Sequence, residues 1–205
     1  RSGGEIASSM IVEGLTKAFH DSDKIRHEEV NTFLIAAIDR VNLDIVNRGR
    51  VEEANIGMGT TLNALIFVGD RLHCAHIGDS RTYLFYKDHM WQMTVDHNIE
   101  TYVERGWLPS SSMHPGTKRG ALVRSIGLSE KCEVDIYEKG IKPGEVYITC
   151  SDGLSSMVDD RTIARAVKEN KNRWQQLPDI LVDVANRAGG KDNVTVLVSI
   201  VKEDE

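Results

Sequence analysis

Apolar positions in the first fifty residues recur with helical spacing. Ile6, Met10, Ile11, Leu15 and Phe19 lie four and one apart, and Val30, Phe33, Leu34, Ala37, Ile38 and Val41 lie three and one apart. Each segment therefore carries one apolar stripe, and two long amphipathic helices are predicted. From Thr60 the period changes. TTLNALIFVGD, RLHCAHIGD and RTYLFYKDH are short β-rich runs punctuated by Gly69-Asp70, Gly78-Asp79 and Lys87-Asp88, the pattern of an antiparallel meander. Between Asp96 and Gly127 a short helix leads into a stretch rich in Ser, Gly, Pro and Lys. Structureless loops beyond about 12–15 residues are uncommon in compact domains, so residues 98–127 are expected to form a functional flap. Strand patterns return at CEVDIYEKG and VYITC. Helical ones follow at DDRTIARAVKEN and RWQQLPDILVDVANRA, where Pro178 suits a first turn. The β-branched run DNVTVLVSIV closes the chain as an expected central strand. This order puts helical layers over sheet, an α+β arrangement and not a parallel βαβ wind. A length of 205 residues fits one domain spanning 1–205.

Composition narrows the function. The formal charge of −6 arises from acids and bases mixed along the chain, without a basic block, which argues against a dedicated nucleic-acid or membrane-surface binder. Trp91, Trp107 and Trp174 are too scattered to form a base-stacking platform. Cys74, Cys132 and Cys150 show no CxxC spacing, so neither a disulfide framework nor a cysteine zinc site is suggested, and a reducing cytoplasm is expected. No apolar run approaches the roughly 20 residues that span a bilayer, and RSGGEIAS has no signal-peptide core.

The chemistry is carried by aspartates at strand ends. In VYITCSDGLSSMV, Asp152 follows an apolar strand, where a carboxylate costs several kcal/mol unless paired or bound to a cation, and Gly153 lets another group approach the backbone. In GGKDNVTVLVSI, Gly189 and Gly190 end a helix and Asp192-Asn193 open the last strand. In AHIGDSRTYLF, Asp79 occupies a tight turn between strands. Each pair alone is ordinary turn chemistry; three together at sheet ends suit Mg²⁺ or Mn²⁺, which take few carboxylate ligands and keep several waters. Two such ions activate water and clamp the oxygens of a phosphoryl displacement.

GEIAS, GMGTT, IGDSR, Asp96-His97, SDGL and GGKDNVT occur in an order, and with connecting lengths, that resemble the bacterial form of the metal-dependent protein phosphatases of type 2C, from Gly4 to about Val201. The resemblance implies a four-layer αββα sandwich and a centre of two Mn²⁺ or Mg²⁺ ions, or three. It also implies hydrolysis of phosphoserine and phosphothreonine in protein substrates of a cognate kinase by direct attack of metal-bound hydroxide. Carried over residue by residue, it assigns Asp152 and Asp192 as metal ligands and Asp79 as the ligand of a third, weaker ion. Gly153, Asn193 and Arg81 lie beside the metals, with Arg81 ordering the Asp79 turn. Lys118, Arg119 and His114 fall on the flap at the substrate rim. Ser156 stands where the family often has a further acid, which leaves the third site poorer in charge.

In the family, GGEIAS follows an Asp-Gly-x-Gly-Gly motif whose aspartate bridges the metals, with an Arg and a further acidic ligand earlier still. The sequence begins at Arg1, just downstream, so an N-terminal stretch that supplies these residues and central strands is expected. If the natural chain were this short, the alternative is a pseudophosphatase or a regulatory phosphoprotein-binding domain. A cytoplasmic monomer is expected. GMGTT lacks the Gly-Lys of a nucleotide loop and reads as a helix-to-strand connection. His73 and His76, three apart on a strand, point to opposite faces and are read as structural. His97 and His114 flank the flap, where either could serve as a proton donor near a leaving group, but they are read as surface or supporting histidines.

Overall fold

The computed structural model describes residues 3–22, 24–52 and 56–202, so the two ends of the expected 1–205 domain lie outside the described residues. The chain divides into two compact units, Arg1–Gly78 with Asp96–Lys139, and Asp79–Val95 with Gly140–Glu205.

In the first unit the two predicted helices are α1 (Gly4–Asp21) and α2 (Val30–Val51). Their stripes meet: Ala7 and Ile11 pack with Leu34, Ile38, Val41 and Ile45 over Leu62, Ala75 and Ile77 of a sheet. Each fully buried Leu or Ile contributes roughly 1.5–3 kcal/mol relative to exposure. That sheet consists of β1 (Leu62–Val68), β2 (Arg71–Ile77) and, beside β2, β5 (Asp135–Gly140). β1 and β2 form an antiparallel hairpin with Leu62 opposite Ile77. GMGTT is the expected connection between α2 and β1.

The second unit holds a four-stranded sheet in the order β4-β3-β6-β7, with β3 (Arg81–Tyr86), β4 (His89–Gln92), β6 (Val146–Cys150) and β7 (Val196–Ile200). Lys87 and Asp88 both have positive φ, 48° and 64°, the backbone of a two-residue turn whose twist matches its strands. Helices α5 (Asp160–Glu169) and α6 (Leu177–Arg187) cover this sheet through Ile163, Val167, Leu177, Leu181 and Ala185, packed on Tyr83, Phe85 and Ile148. Pro178 does lie in the first turn of α6, and Gly189 and Gly190 end that helix with positive φ. A single turn, α4 (Asp152–Ser155), follows β6 directly.

The architecture is therefore α+β with two antiparallel sheets, each faced by a helix pair, but two strand expectations need correction. TTLNALIFV, RLHCAHI and RTYLFY do not form one meander, because β2 belongs to the first sheet and β3 to the second. DNVTVLVSIV is not a central strand among the described residues: β7 pairs only with β6, and Leu197 is 63% exposed. No helix among the described residues is long and apolar enough to cross a membrane. Burial pushes the Cys132 thiol up to about 12.

Candidate metal centre

Asp79, Asp152 and Asp192 all belong to the second unit, and the register of its sheet explains their meeting at one end. Arg81 at the start of β3 pairs with Cys150 at the end of β6, and Cys150 pairs with Val196 at the start of β7. Asp79 precedes Arg81 by two residues, Asp152 follows Cys150 by two, and Asp192 lies on the segment entering β7. Asp79 and Asp192 in loops and Asp152 at the start of α4 thus lie past the same strand ends.

Two of these loops are stitched together. The Ser151 N–H donates to the Thr195 carbonyl at 3.1 Å, the Thr195 N–H donates to Ser151 Oγ at 3.0 Å, and Ser151 Oγ donates to the Asn193 carbonyl at 3.2 Å. Gly153 completes the seam, since a Cβ placed there would sit 2.3 Å from the Asn193 carbonyl oxygen. The residue after Asp152 must therefore lack a side chain for Asp192 to lie where it does. The Asn193 N–H donates to Asp192 Oδ1 at 2.7 Å, which fixes that carboxylate's rotamer. Arg81 Nη1 donates to Tyr83 Oη at 3.1 Å and to Asp160 Oδ1 at 3.2 Å, and Tyr83 Oη–H donates to the same oxygen at 2.8 Å. Burial pushes the Tyr83 hydroxyl well up, so it remains a donor. Arg81 thereby ties the start of β3 to the start of α5.

The donor set fits hard divalent cations: oxygen-only side chains, with Asp192 oriented by a backbone N–H. The desolvation argument carries less weight than the sequence suggests, because Asp152 and Asp79 are only partly buried and Asp192 is exposed. Loops past the strand ends keep these groups wet. Nor do the three aspartates close into one tight group; among the described residues, ligating side chains with all donor atoms within 4.8 Å are His27, His73 and Glu138, in the first unit.

The first unit contains a second polar network that sequence reasoning underrated. His97 is buried. Its Nδ1 accepts the Gly78 N–H at 3.1 Å and its own N–H donates to the Gly78 carbonyl at 2.7 Å, so both peptide groups of the residue before Asp79 are held. With Nδ1 accepting, Nε2 carries the proton and donates to Asp135 Oδ2 at 3.1 Å; Arg124 donates to Asp135 Oδ1 at 2.8 Å. Burial pulls the His97 imidazole below its ordinary value, outweighing the Asp135 carboxylate, which pulls the other way. Burial also raises Asp135, but the His97 hydrogen bond and Arg124 together bring it below the usual carboxylate range. Gly78 has φ 107°, and a Cβ there would lie 2.4 Å from Thr61 Cγ2, so a glycine is required. His97 is a buried clamp and not a surface group. Its signals in the sequence are its place directly after Asp96 in a motif of the resemblance and its position flanking the expected flap.

The residues of the expected flap lie elsewhere in the first unit. Helix α3 (Ile99–Glu104) is capped by Asn98, whose Oδ1 accepts the Thr101 N–H at 2.9 Å. The chain returns beside it through Ile99 N–H to the Ala121 carbonyl, 3.0 Å, and Glu100 N–H to the Arg119 carbonyl, 3.1 Å. Lys118 and Arg119 are exposed, and the Arg119 guanidinium pairs with Glu100 at 3.2 Å. Lys118 lines a cavity of about 380 Å³ with Gly4, Gly59 and Leu122. His114 is exposed in a turn closed by Thr117.

Residues 10–108 match the family model described as protein phosphatase 2C. The serine/threonine phosphatase stp of Listeria innocua is 33% identical over 197 residues, covering 95% of this chain and 78% of that protein. The serine/threonine protein phosphatase PstP of Mycobacterium tuberculosis is 34% identical over 205 residues, 97% of this chain and 38% of that longer protein. The crystal structure of the PstP catalytic domain with two manganese ions superposes with a TM-score of 0.82 at 32% identity, covering 98% of this chain and 83% of that one.

Proposed function

Because the chain belongs to the protein phosphatase 2C family, we propose that it is a manganese-dependent phosphatase that removes phosphate from phosphoserine and phosphothreonine in proteins. The observation that carries this reading is the convergence of Asp79, Asp152 and Asp192 on one sheet end, with Asp152 and Asp192 stitched by the contact of Gly153 against Asn193. Asp152 and Asp192 would hold Mn²⁺ or Mg²⁺, and Asp79 a third, weaker ion, since Ser156 adds no charge there. When bound, the ions neutralise phosphate charge and lower the pKa of a water. The protein's own residues do the positioning. Asn193 orients Asp192, Arg81 ties down β3 behind Asp79, and His97 fixes the peptide groups of Gly78 ahead of Asp79.

Residues 1–205 serve as one phosphatase domain, with 98–127 as its flap. Lys118, Arg119 and His114 offer cationic and polar contacts to a phosphorylated segment at the rim. The mixed charge pattern and the lack of CxxC spacing in the sequence favour a cytoplasmic monomer working opposite a cognate kinase. The test is hydrolysis of p-nitrophenyl phosphate and of phosphothreonine peptides by the full-length protein with Mn²⁺ and after chelation with EDTA. Turnover should require the metal; activity undiminished by EDTA would reject the reading.

A further inference from the structure

We propose that His27, His73 and Glu138 form a second metal site, built for a borderline cation such as Zn²⁺ and independent of the carboxylate centre. One donor atom from each residue lies within 4.8 Å of the others. They come from three places in the first unit: the 3₁₀ turn His27–Glu29, β2 and β5. Two imidazoles and one carboxylate form a set that favours Zn²⁺ or Co²⁺ over Mg²⁺, leaving a fourth position for water.

The hydrogen bonds around the site prepare a donor atom. Asn31 Nδ2 donates to Glu138 Oε2 at 3.2 Å; a carboxylate only accepts, so the amide orientation is set and Asn31 Oδ1 must be the acceptor that faces His73 Nδ1 at 2.7 Å. His73 therefore carries its proton on Nδ1 and aims the Nε2 lone pair at His27 Nδ1, 3.0 Å away. Burial pulls the His73 imidazole below its ordinary value, which keeps that lone pair available. Outer partners that fix tautomer and carboxylate orientation are the usual surroundings of a metal-binding histidine.

His27 completes the set: its Nδ1 faces His73 Nε2 at 3.0 Å and its Nε2 lies 3.7 Å from Glu138 Oε1, while Arg71 pairs with the same carboxylate. A divalent cation in place of the shared proton satisfies both imidazoles and the carboxylate. Arg71 moderates the affinity while holding Glu138 in place. The bound ion braces the 27–29 turn against β2 and β5.

The test is a titration of the full-length protein, saturated with Mg²⁺ to fill the oxygen sites, with Co²⁺ as the probe, read by visible absorption of the nitrogen-ligated ion and by Tm. The wild type should develop the band and a higher Tm. Asn31→Leu should weaken Co²⁺ binding about tenfold by releasing the His73 tautomer. His27→Ala and Glu138→Gln should each weaken it by more than tenfold. Both alter partly exposed side chains, so a folding failure in one leaves the other to decide. An Asp152→Asn/Asp192→Asn variant should keep the band, which separates this site from the carboxylate centre. No band in the wild type, unchanged affinity in His27→Ala or Glu138→Gln, or loss of the band in the double aspartate variant would overturn the proposal.

Discussion

Placing a methyl group on residue 153 tests how Asp192 is held beside Asp152. An ideal Cβ there lies 2.3 Å from the Asn193 carbonyl oxygen, 2.9 Å from its carbon and 3.3 Å from Val194 Cα. Carbon contacts settle near 3.5–4.0 Å, so the Asn193 backbone must retreat by roughly 1 Å in Gly153→Ala. The obstacle is backbone, not the end of a flexible side chain, and overpacking of this kind costs about 1–3 kcal/mol. Helix propensity acts in the opposite direction, favouring Ala over Gly by up to about 1 kcal/mol, but α4 is a single turn and realises little of that gain. A net loss of about 1–2 kcal/mol lowers Tm by roughly 3–6 °C for a chain of this size. Because Asn193 carries the N–H that orients Asp192, displacement by about 1 Å should reduce turnover on the order of 100-fold. Thermal melts in EDTA isolate the fold from metal binding, and p-nitrophenyl phosphate turnover against Mn²⁺ concentration reads the site. A Tm equal to or above wild type together with wild-type Mn²⁺ dependence would refute the argument, because the seam would then yield without moving Asp192.

Three further outcomes are expected. Asp152→Asn and Asp192→Asn each remove a charge from the candidate centre but little volume, so metal-dependent turnover should vanish while the far-UV circular dichroism and metal-free Tm stay near wild type; Asp79→Asn should show a smaller loss, mainly as a higher Mn²⁺ requirement. Lys118→Ala with Arg119→Ala should weaken dephosphorylation of phosphopeptides more than of p-nitrophenyl phosphate, in a kcat/KM comparison; equal losses would exclude substrate selection by these charges. His97 has its native pKa depressed from 6.5, chiefly by burial, so the unfolded chain binds the proton first. Its contribution to stability is complete above about pH 6.5 and is lost as pH falls toward the depressed value, and Tm between about pH 7.5 and 5 should decline more steeply in wild type than in His97→Gln.

Elements that rest on local rules were legible in the sequence. The stripes of α1 and α2, the Pro178 first turn, the Gly189-Gly190 stop and the Lys87-Asp88 hairpin each follow from spacing or backbone preference within a few residues. Partner choice was not legible. A period-two pattern specifies which face of a strand is buried but not which strand lies beside it, so β2 and β3 could read as neighbours across Gly78-Asp79 and still enter different sheets. β7 was misplaced for a related reason, since Val196, Leu197, Val198 and Ile200 have the composition of a central strand although Leu197 is exposed. Asn42 left no signal at all. It sits on the stripe of α2, fully buried, and its amide bonds the Ser129 and Glu130 carbonyls and the Gly127 N–H, pinning a distant turn that α2's own pattern does not mention.

The candidate centre falls between these cases. Each aspartate was visible through its neighbours, Asp152 with Gly153, Asp192 with Asn193, Asp79 with Gly78, because a carboxylate past a strand needs a backbone that turns there. Their convergence was not visible, since it depends on β3, β6 and β7 being consecutive in one sheet with Arg81 opposite Cys150 and Cys150 opposite Val196. A slip of one residue in either ladder would turn every β3 or β7 side chain to the other face and shift Asp79 or Asp192 along the edge by about 3.3 Å. Two features resist such slips. Tyr83 and Ile148 are fully buried in the same core, and the Ser151–Thr195 pair bonds in both directions just past the last ladder pair. The packing that makes the second unit stable is therefore also what aligns its carboxylates, and a core substitution such as Ile148→Ala should disturb the Mn²⁺ requirement as well as the fold.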